Sequence, residues 1–217
     1  MIHFLRIGKI LFTISFGWLF VLASTPDKII QKEKDALYYI IDTAKSKVNW
    51  SCSYHHGYVK IKEGNMMLDN KQLIDAGFTL DMNSITDTDI DYDLMRGTLE
   101  NVLKSVEFFN TKVYPESYFK LHSVEHIENN TYKMLGDFII FDTGICTEFK
   151  SEYYIKNDSL YFITQPVFLD RIDWGIYYLS KNNLYPKEGE DSFIVSDTIT
   201  VKARIVAYKN TIIPKIK

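Results

Sequence analysis

The sequence is short of the residues that break, staple or charge a chain. Its 217 residues include 2 Cys, 5 Pro and 10 Gly, against 15 Tyr, 14 Phe and 3 Trp. So few breakers among so many aromatics describe a globular chain that leans toward β structure, not a linker or a low-complexity segment. Basic residues are not in excess: 25 Lys and Arg face 28 Asp and Glu, for a net charge of -3. That balance excludes the basic footprint of a nucleic-acid binder and of a polybasic membrane-surface module. There is no G-x-S-x-G elbow and no glycine-rich phosphate loop, which removes the usual serine-hydrolase and nucleotide-binding signals. No linker and no internal repeat interrupts the chain, and its length suits one domain with one sizeable core. The two cysteines, Cys52 and Cys146, leave two readings open. They pair in an oxidising compartment, or they remain separate buried thiols.

Long apolar runs are also missing. The most extended uncharged stretch runs from Ile10 to Ala23, behind Arg6 and Lys9 and ahead of the polar "STPDK". It falls short of the roughly 20 residues of a membrane-spanning helix. A basic start, a short apolar run and small residues after it describe a secretory signal peptide over residues 1–24, with cleavage near Ala23 to Thr25. The expected mature protein is periplasmic or secreted, with a barrel or sandwich domain over residues 36–208 and a tail over 209–217.

What the mature chain does have is alternation. In "SKVNWSCSY", Val48, Trp50, Cys52 and Tyr54 share one face. "YVKIKEG" reads as the end of a second strand at Gly64. "GFTLDM" points Phe78, Leu80 and Met82 one way. Near the end, Ile199, Val201, Ala203, Ile205 and Ala207 alternate with polar residues. Period two marks a sheet with two unlike faces. "ENN" and "NDS" read as hairpin turns. One segment breaks the pattern: Met95, Leu99, Val102 and Val106 lie on one face of a helix over about 93–106, with Asp91 or Asp93 at its N-cap. About eight antiparallel strands and one main amphipathic helix give an all-β fold, a closed barrel or a sandwich.

Three clusters invite a chemical reading. "TDTDIDYD" places Asp87, Asp89, Asp91 and Asp93 on alternate positions. An EF-type calcium loop needs glycine at its sixth position and glutamate at its twelfth; here those are Tyr92 and Thr98. The run therefore reads as a solvated turn into a helix, and no metal or cofactor is expected. "HSVEH" satisfies the inverted zinc-protease pattern at His122 and His126. Its setting, "YFKLHSVEHI", is that of a strand, where residues i and i+4 stand about 13 Å apart, too far to share one zinc. A metal-dependent hydrolase at this pair is the alternative enzymatic reading. "LDRIDWGIYY" places Arg171 between Asp170 and Asp173, as in a structural ion-pair network. Of the two adjacent histidines, His55 and His56, only one is expected to face inward. The strand aromatics and aliphatics, Trp50, Phe78, Leu80, Met82, Phe119, Leu121, Phe138 and Ile140, either fill a core or line a cavity; periodicity does not separate these.

Several segments together resemble the YceI family. "YYIIDTAKSKVNW" is similar to its opening strand, and "HHGYVKIKEGNMML" to its H-x-G segment. "GFTLDMNSITDTDID" resembles its central signature. "LKSVEFFNTKVYPESYFK", "YKMLGDFII" and "DRIDWGIYY" follow in the family's order. The departures are Asn101 and Val102, where the family often has glycine and histidine, and "FDTGICTEF" in place of its G-V-T-K-P-V segment. The resemblance covers about Tyr38 to Ala207. It implies a lipocalin-like closed β-barrel, usually exported, that holds a long isoprenoid or other amphiphilic lipid and is not an enzyme. On that reading the ligand-contacting residues are Trp50, Phe78, Leu80, Met82, Leu99, Phe119, Leu121, Phe138, Ile140 and Trp174, with Arg171 meeting an anionic head group. The implied partners are a lipid and, transiently, a membrane, and not nucleic acid. A filled barrel acting as an interaction module is the remaining alternative.

Overall fold

The computed structural model describes residues 36–187, 189 and 193–210. The segment expected to be a signal peptide and most of the segment expected to be a tail lie outside the described residues. The elements are β1 (Leu37–Ile41), β2 (Lys47–Cys52), β3 (His55–Asp69), β4 (Gln72–Asp87), helix α1 (Asp93–Lys104), β5 (Glu116–Glu128), β6 (Thr131–Ile140), β7 (Thr143–Lys156), β8 (Ser159–Thr164), β9 (Val167–Asp170), a 3-10 turn (Arg171–Trp174) and β10 (Thr198–Asn210). Thus β10 extends two residues into the segment expected to be tail. Among the described residues, no helix is long and apolar enough to cross a membrane.

Ten strands make an eight-stranded closed antiparallel barrel. The reduction occurs because two strand positions are each split. β1 and β2 both lie between β10 and β3. β8 and β9 both pair with β10, on its other side. A hydroxyl fills the ladder at each split. Ser46 Oγ accepts from the Val206 amide at 2.9 Å and donates to the Val206 carbonyl at 3.2 Å. Thr164 Oγ1 accepts from the Ala203 amide at 2.9 Å. Both side chains are buried, where an unpaired backbone amide would be costly. Closure removes the exposed edges of an open sheet.

One end of the barrel is closed by tight hairpins. Asn70 and Lys71, Asn129, and Asn157 and Asp158 take positive φ, and Asn and Asp tolerate that region best. The "ENN" and "NDS" turns are where the sequence placed them. The opposite end carries α1, the 105–115 connection, the 3-10 turn and the long β9–β10 connection. The strand expected to stop at Gly64 instead runs on to Asp69. Gly64 is there for closeness: a Cβ would meet Phe78 Cβ at 2.6 Å and Ile41 Cδ1 at 2.7 Å. Glycine inside a strand often marks such an approach.

The helix is shorter than expected, ending at Lys104. Its N-cap is Tyr92, with no side-chain cap, and Asp93 sits in the first turn paired with Arg96. A carboxylate there still favours the positive end of the helix dipole. The inward stripe is Leu99, Val102 and Leu103. Met95 and Val106, expected on that stripe, are 61% and 74% exposed.

Candidate functional site

The barrel interior divides into two halves. Toward the hairpin end it is packed solid by Tyr39, Met66, Leu68, Met134, Leu160 and Ile205, among others, each almost inaccessible to solvent. Toward the other end lies a cavity of about 200 Å³. Core-filling and a ligand cavity were open alternatives for the inward aromatics, and the fold realises both, one in each half.

The cavity floor is aromatic. Phe119 stacks on Phe78 with centroids 5.1 Å apart and meets Phe138 at 5.2 Å and Phe149 at 5.7 Å. Above it the wall is built from Val48, Trp50, Leu80, Met82, Ile140, Ile199 and Val201 on the strands. Leu99, Val102 and Leu103 of α1 complete it, although no residue of the helix is fully buried. Nine of the expected contact residues therefore lie in the wall: Trp50, Phe78, Leu80, Met82, Leu99, Phe119, Phe138, Ile140 and Trp174. Leu121 does not. It sits two residues further along β5 than Phe119, in the filled half. Tyr54, expected on the face of Trp50, is 92% exposed because the chain turns after Cys52.

Arg171 is also elsewhere. Its side chain is 0% exposed. Nε donates to Ser196 O at 3.0 Å, and Nη1 donates to Ile176 O at 2.8 Å and Tyr178 O at 2.7 Å. Nη2 reaches Val195 O at 3.3 Å and Asp197 Oδ1 at 3.2 Å. Four guanidinium N–H groups thus go to backbone carbonyls, Asp197 stands beside them as an ion-pair partner, and burial closes the side chain off from a head group. Burial pushes its pKa down, opposed by Asp197. The ordering network expected here exists, but its carboxylate is Asp197; Asp170 instead accepts from the Ile172 amide, and Asp173 is exposed. Arg171 ties the β9–β10 connection to the barrel.

Trp174 closes a seam. At the open end β9 pairs with β10, while β7 pairs with β8 over Ser151–Lys156. The indole spans the space between, donating to Thr143 O at 2.9 Å.

The cysteines are both free. Cys52 Sγ donates to Ser196 O at 3.3 Å, and burial pushes its thiol pKa up. Cys146 is exposed on β7. His122 and His126 lie on a strand and turn to different partners. His122 Nε2 meets Asp137 Oδ2 at 2.9 Å, and His126 Nε2 meets Asn129 O at 2.9 Å. The helical zinc pattern is thus absent from this segment.

A polar cluster that the sequence reading missed stands at the cavity rim. His55, at the start of β3, lines the cavity. Its Nδ1 lies 3.0 Å from Asp89 Oδ2 and 4.0 Å from Asp87 Oδ2. The Asp87 side chain is 0% exposed, and burial raises its pKa. Burial also pushes Asp89 up, but the His56 amide and the His55 ring outweigh it and bring Asp89 down to about 2. Gly57 permits the approach: a Cβ there would fall 1.8 Å from Thr86 O. The H-x-G segment and the acidic run lie far apart in the sequence, and only the β3–β4 register brings them together.

The YceI-like domain profile matches residues 39–207. The chain belongs to the YceI-like family. No curated protein matches it. Among solved structures it is similar to Burkholderia cenocepacia BcnA, at 19% identity over 76% of this chain and 98% of that one, with a TM-score of 0.57. It is also similar to the Campylobacter jejuni YceI protein, at 19% identity over 75% and 82%, with a TM-score of 0.51. At such identities the likeness is one of fold.

Proposed function

We propose that this protein is an exported, non-catalytic carrier that holds the apolar chain of an amphiphilic lipid, such as a long isoprenoid, in the open half of its barrel. The observation that carries this reading is the cavity, whose wall is almost wholly carbon and whose floor is a cluster of four phenylalanines. Each buried methylene contributes about 0.8 kcal/mol, so a chain needs few polar contacts to be retained. The resting volume of about 200 Å³ is below the roughly 300 to 1,000 Å³ of sites for drug-sized ligands. A long chain therefore needs room, and α1 is the element to give it, since it contributes wall residues but buries none fully. Tyr54, Leu94, Met95, Leu184, Tyr185 and Phe193 stand exposed on the connections of this same end. They suit transient contact with a membrane from which a lipid is taken.

Trp50 and Trp174 both lie in the wall, so their fluorescence reports filling. Titrating delipidated protein with a prenyl alcohol should shift their emission and saturate at one ligand per chain. Emission that is blind to added lipid counts against the proposal.

A further inference from the structure

We propose that His55, Asp87 and Asp89 form a binding site for one divalent transition-metal cation at the cavity rim. The carboxylates are held in a shared way. Asp89 Oδ1 accepts from the His56 amide at 2.7 Å, which leaves Oδ2 facing His55 Nδ1. Asp87 Oδ1 accepts from the Asp89 amide at 3.2 Å and the Ile90 amide at 2.9 Å, which leaves Oδ2. That oxygen is buried and has no hydrogen-bond partner among the described residues. Each carboxylate is thus fixed through one oxygen and presents the other to the same point. Such outer bonds are what orient ligands in metal sites.

A buried carboxylate oxygen with no donor is costly, and facing a second carboxylate raises the cost. Something positive belongs between them. The two separations from His55 suit a cation. Zinc–nitrogen and zinc–oxygen bonds are about 2.0 to 2.2 Å, so two ligands on one ion lie no more than about 4.4 Å apart. The His55–Asp89 and His55–Asp87 separations are 3.0 and 4.0 Å, and all three donor atoms lie within 4.8 Å of one another. One imidazole with two carboxylates favours a transition cation over calcium, which prefers an all-oxygen shell. This differs from an EF-type loop. Only the first two aspartates of the run take part, and the third ligand comes from β3.

A second trio, His122, Asp137 and Cys146, also brings donor atoms within 4.8 Å, on the outside of the barrel. The test therefore separates the two. The full chain is stripped with a chelator and titrated with Zn²⁺ by calorimetry and with Co²⁺ by visible absorption. One cation should bind. His55→Ala and Asp87→Asn should each weaken binding by at least about tenfold, and Cys146→Ser should leave it unchanged. Asn keeps the acceptor for the Asp89 and Ile90 amides, and His55 is 42% exposed, so both variants should fold; circular dichroism checks this. No uptake of either cation by the wild type overturns the proposal, since a proton then fills the gap. Binding lost in Cys146→Ser and kept in Asp87→Asn overturns it in favour of the outer trio.

Discussion

Trp174 Nε1 donates to Thr143 O at 2.9 Å, and this one bond joins the 3-10 turn after β9 to the first residue of β7. It spans a stretch of wall where the strand ladder is interrupted. Trp174→Phe keeps a ring in the seam and removes the bond. A net hydrogen bond is worth about 0.5 to 1.5 kcal/mol. The expected result is a stability loss of about 0.5 to 1.5 kcal/mol in urea together with faster release of a bound lipid by roughly 2- to 10-fold, followed by stopped-flow transfer of a fluorescent lipid to vesicles.

Arg171 and Asp197 are a buried pair at 3.2 Å. Removing one partner of such a pair leaves an uncompensated charge or orphaned carbonyls. Arg171→Ala should destabilise the protein by about 3 to 5 kcal/mol, read by urea unfolding. Hydrogen exchange should rise first in the β9–β10 connection, where Ile176, Tyr178, Val195 and Ser196 lose their donor. Because the guanidinium is spent on protein partners, refolded Arg171→Ala should retain lipid in proportion to its folded fraction.

The alternation that fixed these strands was legible in the sequence. Parity turned Phe78, Leu80, Met82, Phe119 and Phe138 toward the barrel interior, because a strand offers two faces and here only one is apolar. Depth along the barrel was not legible. Phe119 and Leu121 share a face, yet one lines the cavity and the other packs the closed half. Parity says inward; it does not say at what height. The helix stripe shifted for a related reason. The periodicity included Met95 and Val106, but only the part of α1 that meets the barrel is covered. Long-range partners left no trace either: nothing near Arg171 in sequence points to Asp197, and nothing near Asp87 points to His55.

The two split strand positions depend on hydroxyls. Ser46→Ala removes an acceptor from the buried Val206 amide, and Thr164→Val removes one from the Ala203 amide. Leaving a buried donor unpaired costs about 1 to 3 kcal/mol. Each variant should lose that much stability in urea, and amide exchange should accelerate selectively at Val206 in the first and Ala203 in the second.

Alkaline stability should depend on Tyr153. Its phenol is buried, accepts from the Leu73 amide at 3.0 Å and stacks on Tyr132 with centroids 4.2 Å apart. Burial pushes its pKa up to about 12, partly opposed by the Leu73 amide. An unfolded tyrosine titrates near about 10. The fold thus favours the protonated phenol. Its contribution is complete below about pH 10 and is lost as pH rises through about 12, by roughly 2 to 3 kcal/mol. Tyr153→Phe should be less stable at neutral pH, where the Leu73 amide loses its acceptor, and should show a flatter decline over that alkaline window.

The central claim is that the open half of the barrel holds a lipid chain. Native mass spectrometry of the purified full-length protein, before and after organic extraction, tests it most directly. The account predicts a lipid-sized mass on each folded chain, removed by extraction, recovered on adding a long isoprenoid, and weakened when Leu103 of the helix is replaced by Glu. A protein that carries no such mass, and takes up none after extraction, contradicts it.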